Sequence, residues 1–152
     1  MSQGKFFSII IPVYNSKEFI IDTLDSISAQ VFSDFEVLMV NDGSCDGTLD
    51  ILLSYADSDS RFRLLSQKNS GPNVARNLAL NEAQGDYLLF LDSDDIFKRN
   101  ALSKLSKILQ ASSYDLINFG YEFTDFETGN SIHSSCYAKK ELTQQEVFIS
   151  SL

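Results

Sequence analysis

The chain has 152 residues, of which 43% are hydrophobic and 22% charged, which suits one soluble globular domain with a core of its own. Its net charge of −9 argues against a nucleic-acid partner, which would need a basic face. The two cysteines, Cys45 and Cys136, fit no metal cluster and read as free thiols in a reducing cytosol.

The run Phe6-Phe7-Ser8-Ile9-Ile10-Ile11-Pro12 predicts a buried first strand over residues 6–13. It is too short for a membrane span or a signal peptide, so a cytoplasmic domain is expected. Asn15 or Ser16 can cap the next helix. Phe19, Ile20, Leu24 and Ile27 recur at helical spacing and predict an amphipathic helix over 17–30. A second strand, 35–40, ends in Asn41-Asp42-Gly43-Ser44. A helix over 48–55 should turn Leu49, Leu52 and Leu53 inward, and 62–65 reads as a third strand. After the Ser70-Gly71 turn, Pro72 suits the first position of a third helix. Val74, Leu78 and residues 80–83 continue it, and Gly85 is expected to stop it.

In Tyr87-Leu88-Leu89-Phe90-Leu91-Asp92-Ser93-Asp94-Asp95, five apolar residues meet three carboxylates within four positions. The apolar part reads as a strand buried on both faces. The acids must then emerge at its C-terminal end, the edge where open α/β sheets bind ligands. Asp92 and Asp94 are two apart and point the same way in an extended segment, as hard ligands for a divalent cation. A helix over 100–111, a strand over 114–119 and a hairpin through Thr128-Gly129-Asn130 follow. Thr143-Gln144-Gln145-Glu146 is a capping-box pattern, and the chain ends about two turns later, as expected of part of a longer protein. The alternating order predicts an α/β fold: a mostly parallel, doubly wound sheet with helices on both faces, plus a C-terminal hairpin region.

Three strand ends carry special residues: 12–15, 41–44 and 92–95. Parallel strands put them on one edge, outlining a cleft with Tyr14 as a ring contact, Asp42 as an acceptor and acids for ribose and metal. Asp42-Gly43-Ser44 alone is also common turn chemistry. Arg76 supplies positive charge, facing either a phosphate site or a structural carboxylate.

With Ser8-Ile9-Ile10-Ile11-Pro12-Val13-Tyr14-Asn15, Val40-Asn41-Asp42-Gly43-Ser44, Gly71 with Ala75-Arg76-Asn77, and Leu91-Asp92-Ser93-Asp94-Asp95, residues 6–120 resemble family 2 glycosyltransferases, nucleotide-sugar-dependent enzymes of the GT-A fold. The resemblance implies roles. Pro12, Val13 and Tyr14 would border the base, and Asp42 would accept from a uracil imide. Arg76 would lie near the base, ribose or diphosphate. Asp92-Ser93-Asp94 matches the DXD signature: Asp92 and Ser93 on the nucleotide side, with Asp94 and Asp92 serving Mn2+ or Mg2+. Asp95 would be a helix cap or support these ligands.

It further implies an inverting transfer from a UDP-linked sugar to the hydroxyl of a glycan or lipid-linked acceptor, in polysaccharide or cell-surface glycan synthesis. The catalytic base and the acceptor-binding part are expected beyond residue 152, with any membrane association at the inner face of the membrane confined to that region. Residues 1–152 would then form a single nucleotide-sugar-binding domain. Ala79 departs from the glycine the family often has there. The alternatives are a non-catalytic nucleotide-sugar-binding module and a phosphotransferase of the Asp-x-Asp type. The latter expects its acids after the first strand, followed by Gly-Thr or Gly-Val.

Overall fold

The computed structural model describes residues 5–112, 114–118, 122–124, 131–133 and 137–139. The chain divides into two compact units, Met1–Lys104 and Leu105–Leu152.

The first unit is built on a four-stranded sheet of β1 (Lys5–Val13), β2 (Phe35–Asn41), β3 (Phe62–Ser66) and β4 (Gly85–Phe90), in the order β3-β2-β1-β4, with every pair parallel. Ile-, Val- and Phe-rich runs favour strands because branched side chains pack well on a pleated surface. β1 and β2 are interior strands, and all seven residues of β2 are buried. The helices are α1 (Ile20–Ser28), α2 (Thr48–Ser58) and α3 (Pro72–Glu82), and α4 (Ala101–Ala111) begins at the unit's end. Right-handed crossovers put α1 and α2 on one face, because β1, β2 and β3 step in one direction. The return from β3 to β4 reverses the step and carries α3 to the other face. There Ala75 and Ala79 pack flat on Ile10, Leu38 and Val40, all fully buried. Ala79 thus does its work in close helix–sheet packing, where a small side chain is what the gap accepts.

The parallel α/β class expected from the chain order is what the structure has, with local differences. β4 is not buried on both faces. Its exposure alternates, and Leu88 (44%) and Phe90 (49%) are open because β4 lies at the edge of this sheet and α3 covers β1 and β2 instead. Leu52 is buried in α2, but Leu53 faces solvent. Neither Asn15 nor Ser16 caps α1 with its side chain; the Ser16 carbonyl accepts from Phe19 N and Ile20 N. Gly85 does not stop α3, which ends three residues earlier. It opens β4, where a Cβ would strike Ser8 N and come within 2.6 Å of Phe7 C, so only glycine lets β4 lie this close to β1.

An ionic knot centred on a buried carboxylate ties the four strands together near their N-terminal ends. Glu36 on β2 accepts from Ser8 Oγ (2.7 Å), Arg63 Nη1 (2.8 Å) and Gln84 N (2.6 Å). One carboxylate therefore joins β1, β3 and the entry to β4. Burial pushes the Glu36 carboxyl up, but these hydrogen bonds and the guanidinium charge outweigh it and hold it below the usual value.

In the second unit, β5 (Leu116–Asn118) pairs antiparallel with β8 (Tyr137–Lys139), and β6 (Glu122–Thr124) with β7 (Ser131–His133). The pairing of β6 with β7 agrees with the expected hairpin. β5 differs from the expected fifth strand of the parallel sheet: it has three residues and an antiparallel partner, and Leu116 is exposed. The residues 128–130 turn, the 143–152 helix and Cys136 lie outside the described residues.

Candidate nucleotide-sugar site

All four parallel strands end on one edge, and the register carries their exits together. Val13 pairs with Asn41, Asn41 with Ser66, and Ile10 with Phe90. The ladder runs one bond further at each exit. Asp42 N donates to Val13 O (2.8 Å), Gln67 N to Asn41 O (3.0 Å) and Leu91 N to Ile10 O (3.1 Å).

The exit loops are then braced to one another. Asn15, at φ +49°, donates its N–H to Ser44 Oγ (3.0 Å), and its side-chain oxygen accepts from Cys45 N (2.9 Å). Asn is among the few residues that adopt this left-handed conformation readily. Ser16 N donates to Thr48 Oγ1 (3.0 Å), and Ser16 Oγ lies 2.7 Å from Ser93 Oγ. Ser16 therefore joins the β1 exit to both the β2 and the β4 exits.

The expected site residues fall into three groups. Pro12 and Val13 are buried within β1, while Tyr14 stands half exposed at its rim (50%). Asp42 is only 3% exposed. Its Oδ1 accepts from Gln67 Nε2 (2.7 Å) and Ser70 N (2.8 Å), and its Oδ2 from Gly71 N (2.8 Å). Burial pushes this carboxyl up, but the three hydrogen bonds outweigh it and hold it below the ordinary value. Asp42 thus organises the loop that launches α3. Beside it, Gly43 has φ +74°, and a Cβ there would meet Asn69 N at 2.9 Å.

The third group is the charged one. Arg76, in the second turn of α3, reaches Asp92 with Nη2 to Oδ1 at 2.7 Å, and its Nη1 bonds Asn73 Oδ1 at 3.3 Å. Of the two readings of Arg76, the carboxylate it meets belongs to the site itself. Asp92 and Asp94 lie exposed on the turn, which Asp95 N closes onto Asp92 O (3.1 Å). Asp95 caps no helix, since α4 starts at Ala101. Partial desolvation and the charges of Asp92 and Asp94 push its carboxyl above the ordinary value, although the residue is exposed.

Among the described residues no group of three or more His, Cys, Asp or Glu is arranged to hold a metal. Two exposed hard carboxylates fit a Mg2+ or Mn2+ ion that keeps most of its coordination for phosphate oxygens and water. Gln67, Thr23 and Ser16, which bond to Asp42 and Ser93, are not among the expected site residues. Gln67 follows a fourth strand end and was open to the same strand-end logic as the other three. The partners of Thr23 and Ser16 are 70 and 77 residues away in sequence, and no local pattern announces them.

The fold is shared with solved sugar-transferring enzymes. Staphylococcus aureus TarS 1-349 in complex with UDP matches with a TM-score of 0.69 and 36% identity, over 72% of this chain and 33% of that one. The mannosyltransferase PcManGT from Pyrobaculum calidifontis, in complex with GDP-Man and Mn2+, matches with a TM-score of 0.66 and 25% identity, over 77% and 35%. These neighbours are GT-A glycosyltransferases, and this chain has their α/β architecture.

The Glycosyl transferase family 2 model matches residues 8–150, and the chain belongs to that family. It is similar to the putative teichuronic acid biosynthesis glycosyltransferase TuaG of Bacillus subtilis, at 37% identity over 91% of this chain and 55% of the relative. It is also similar to the uncharacterized glycosyltransferase EpsJ of the same organism, at 32% over 92% and 41%. The chain thus spans about half the length of these relatives.

Proposed function

We propose that this chain binds the donor of a glycosyl transfer, a sugar linked to a nucleoside diphosphate and most simply to UDP. The observation that carries the reading is the meeting of Arg76 with Asp92 beside Asp94, at an edge where every strand of the sheet ends. A guanidinium next to two exposed carboxylates suits a ligand whose negative phosphates are shared between a cation and an arginine. UDP is supported by the TarS complexes with UDP and UDP-GlcNAc, at 36% identity.

In this reading Tyr14 faces the base, Arg76 the ribose or diphosphate, and Asp94 with Asp92 the cation. When bound, the cation neutralises the diphosphate as it takes up charge on leaving the sugar. The chain's own residues then have a positioning task. Asp42 fixes the loop before α3 and thereby Arg76, while Ser16 holds Ser93 and thereby the carboxylates either side of it. Displacement with inversion onto an acceptor hydroxyl also requires a base, and no described residue is assigned that role. TuaG's name supports a cell-surface polysaccharide as product.

A cytoplasmic location is supported by the exposed free thiol of Cys45. Among the described residues no helix is long and apolar enough to cross a membrane. Calorimetric titration with UDP, with and without Mn2+, tests the reading. Saturable binding that tightens with Mn2+ is expected, and a folded chain that binds UDP in neither condition would refute it.

A further inference from the structure

Between the last ladder bond of β4, at Leu91, and the start of α4 at Ala101, the chain has no regular secondary structure. That stretch carries Asp92, Asp94 and Asp95. A segment without a ladder needs other partners for its backbone groups. α1 supplies them from three side chains on one side of the helix and its continuation.

Thr23 Oγ1 donates to the Ser93 carbonyl at 3.0 Å. Ser26 Oγ accepts from Phe97 N at 3.1 Å. Gln30 Nε2 donates to the Lys98 carbonyl at 3.1 Å, and its Oε1 accepts from Leu102 N, in the first turn of α4, at 3.2 Å. Thr23 and Ser26 are three apart within α1 and so share a side of it, and Gln30 lies two residues past its end. The spacing of their targets, 93, 97, 98 and 102, spreads these bonds along the whole segment.

Thr23 is fully buried and Gln30 is 6% exposed. Apolar side chains there would pack against α1's neighbours without needing any partner. Buried polar groups are costly unless every bond is made, and in return they allow one arrangement of the groups they hold. The stripe is also held internally: Ser26 Oγ donates to Thr23 O (2.7 Å) and Gln30 Nε2 to Ser26 O (3.0 Å).

We infer that Thr23, Ser26 and Gln30 are positioning residues for the cation-binding carboxylates, holding the 93–102 segment so that Asp92 and Asp94 meet the cation without reorganising. The inference rests on the donor reading above. None of the three touches the ligand; they act through the backbone of the segment that does. Partners behind metal ligands typically change metal affinity by about ten- to a hundredfold when removed.

The test uses the chain as it is, with UDP titrated in the presence and absence of Mn2+. Thr23→Val and Gln30→Leu should each reduce the Mn2+-dependent tightening of UDP about tenfold. Metal-free UDP affinity should stay at the wild-type value, and Thr23→Ser should restore the Mn2+ dependence. A purely structural role would lower thermal stability without separating the two affinities. Folded Thr23→Val and Gln30→Leu with wild-type Mn2+ dependence would overturn the inference.

If either variant fails to fold, Ser26→Ala and Gln30→Glu decide by the same criterion. Gln30→Glu keeps an acceptor for Leu102 N while removing the donor to Lys98 O. A wild-type chain that binds UDP with no Mn2+ effect would overturn the cation reading itself and the stripe's role with it. The wild-type control therefore separates the two failures.

Discussion

The guanidinium of Arg76 on α3 lies 2.7 Å from the Asp92 carboxylate at the exit of β4. The two side chains are 28% and 59% exposed, and an exposed pair of this kind contributes at most about 1 kcal/mol to stability. Its placement at the strand ends is therefore better explained by ligand binding than by folding. Arg76→Ala is expected to leave the unfolding midpoint within a few degrees of wild type and to weaken UDP binding about tenfold. Calorimetry and a thermal melt measure both. Unchanged UDP affinity would remove Arg76 from the site.

Asp42 is expected to act through the loop it holds. Asp42→Asn replaces one acceptor oxygen with a donor facing backbone N–H groups, which costs roughly 1–3 kcal/mol. The variant should be destabilised in urea and should lose UDP affinity. Gln67→Ala removes one of the three bonds and should show both effects at smaller size. A fully stable Asp42→Asn variant that fails to bind would show instead that the carboxylate contacts the ligand directly.

Glu36 gives a pH dependence with a definite sign. Its folded carboxyl lies below the ordinary value of 4.5, so in acid the unfolded chain takes up the proton first. The stability it contributes is fully present above that value and is lost as pH falls below 4.5 through the folded value. Asp42, held below 3.8, adds a second loss at lower pH. Glu36→Gln should cost roughly 2 kcal/mol at neutral pH. It should also flatten the pH dependence of urea midpoints as pH falls below 4.5. A Glu36→Gln curve parallel to wild type would contradict the account.

Gly85→Ala places a methyl group against Ser8 N and Phe7 C, which are backbone atoms of the central strand and cannot turn aside. Overpacking of this kind costs roughly 1–3 kcal/mol, or more where backbone must shift. Chemical denaturation should show at least that loss. A midpoint equal to wild type would mean that β4 moves away from β1 freely.

Much of this architecture is legible in residue patterns. Continuous apolar runs identify β1 and β2, because interior strands of a parallel sheet are buried on both sides. The same rule misreads β4: an apolar run does not reveal how many neighbours a strand has, and Leu88 and Phe90 stand open at the edge. Gly85 looks like a helix stop for a related reason, since closeness to Ser8 is set by strand pairing and not by nearby residues. The carboxylates of the site are visible because three of them follow an apolar run at once, where a parallel strand reaches the ligand-binding edge of its sheet. The groups that hold Ser93 are not, because helix packing brings them from 70 or more residues away.

The central claim is that Asp94, with Asp92, presents the donor's diphosphate to a divalent cation. The most direct measurement compares UDP titrations of wild type and Asp94→Ala, each with and without Mn2+. Mn2+ should tighten UDP binding to wild type and have no effect on the variant, whose fold and metal-free affinity should be unchanged. Equal Mn2+ tightening in both proteins would contradict the claim.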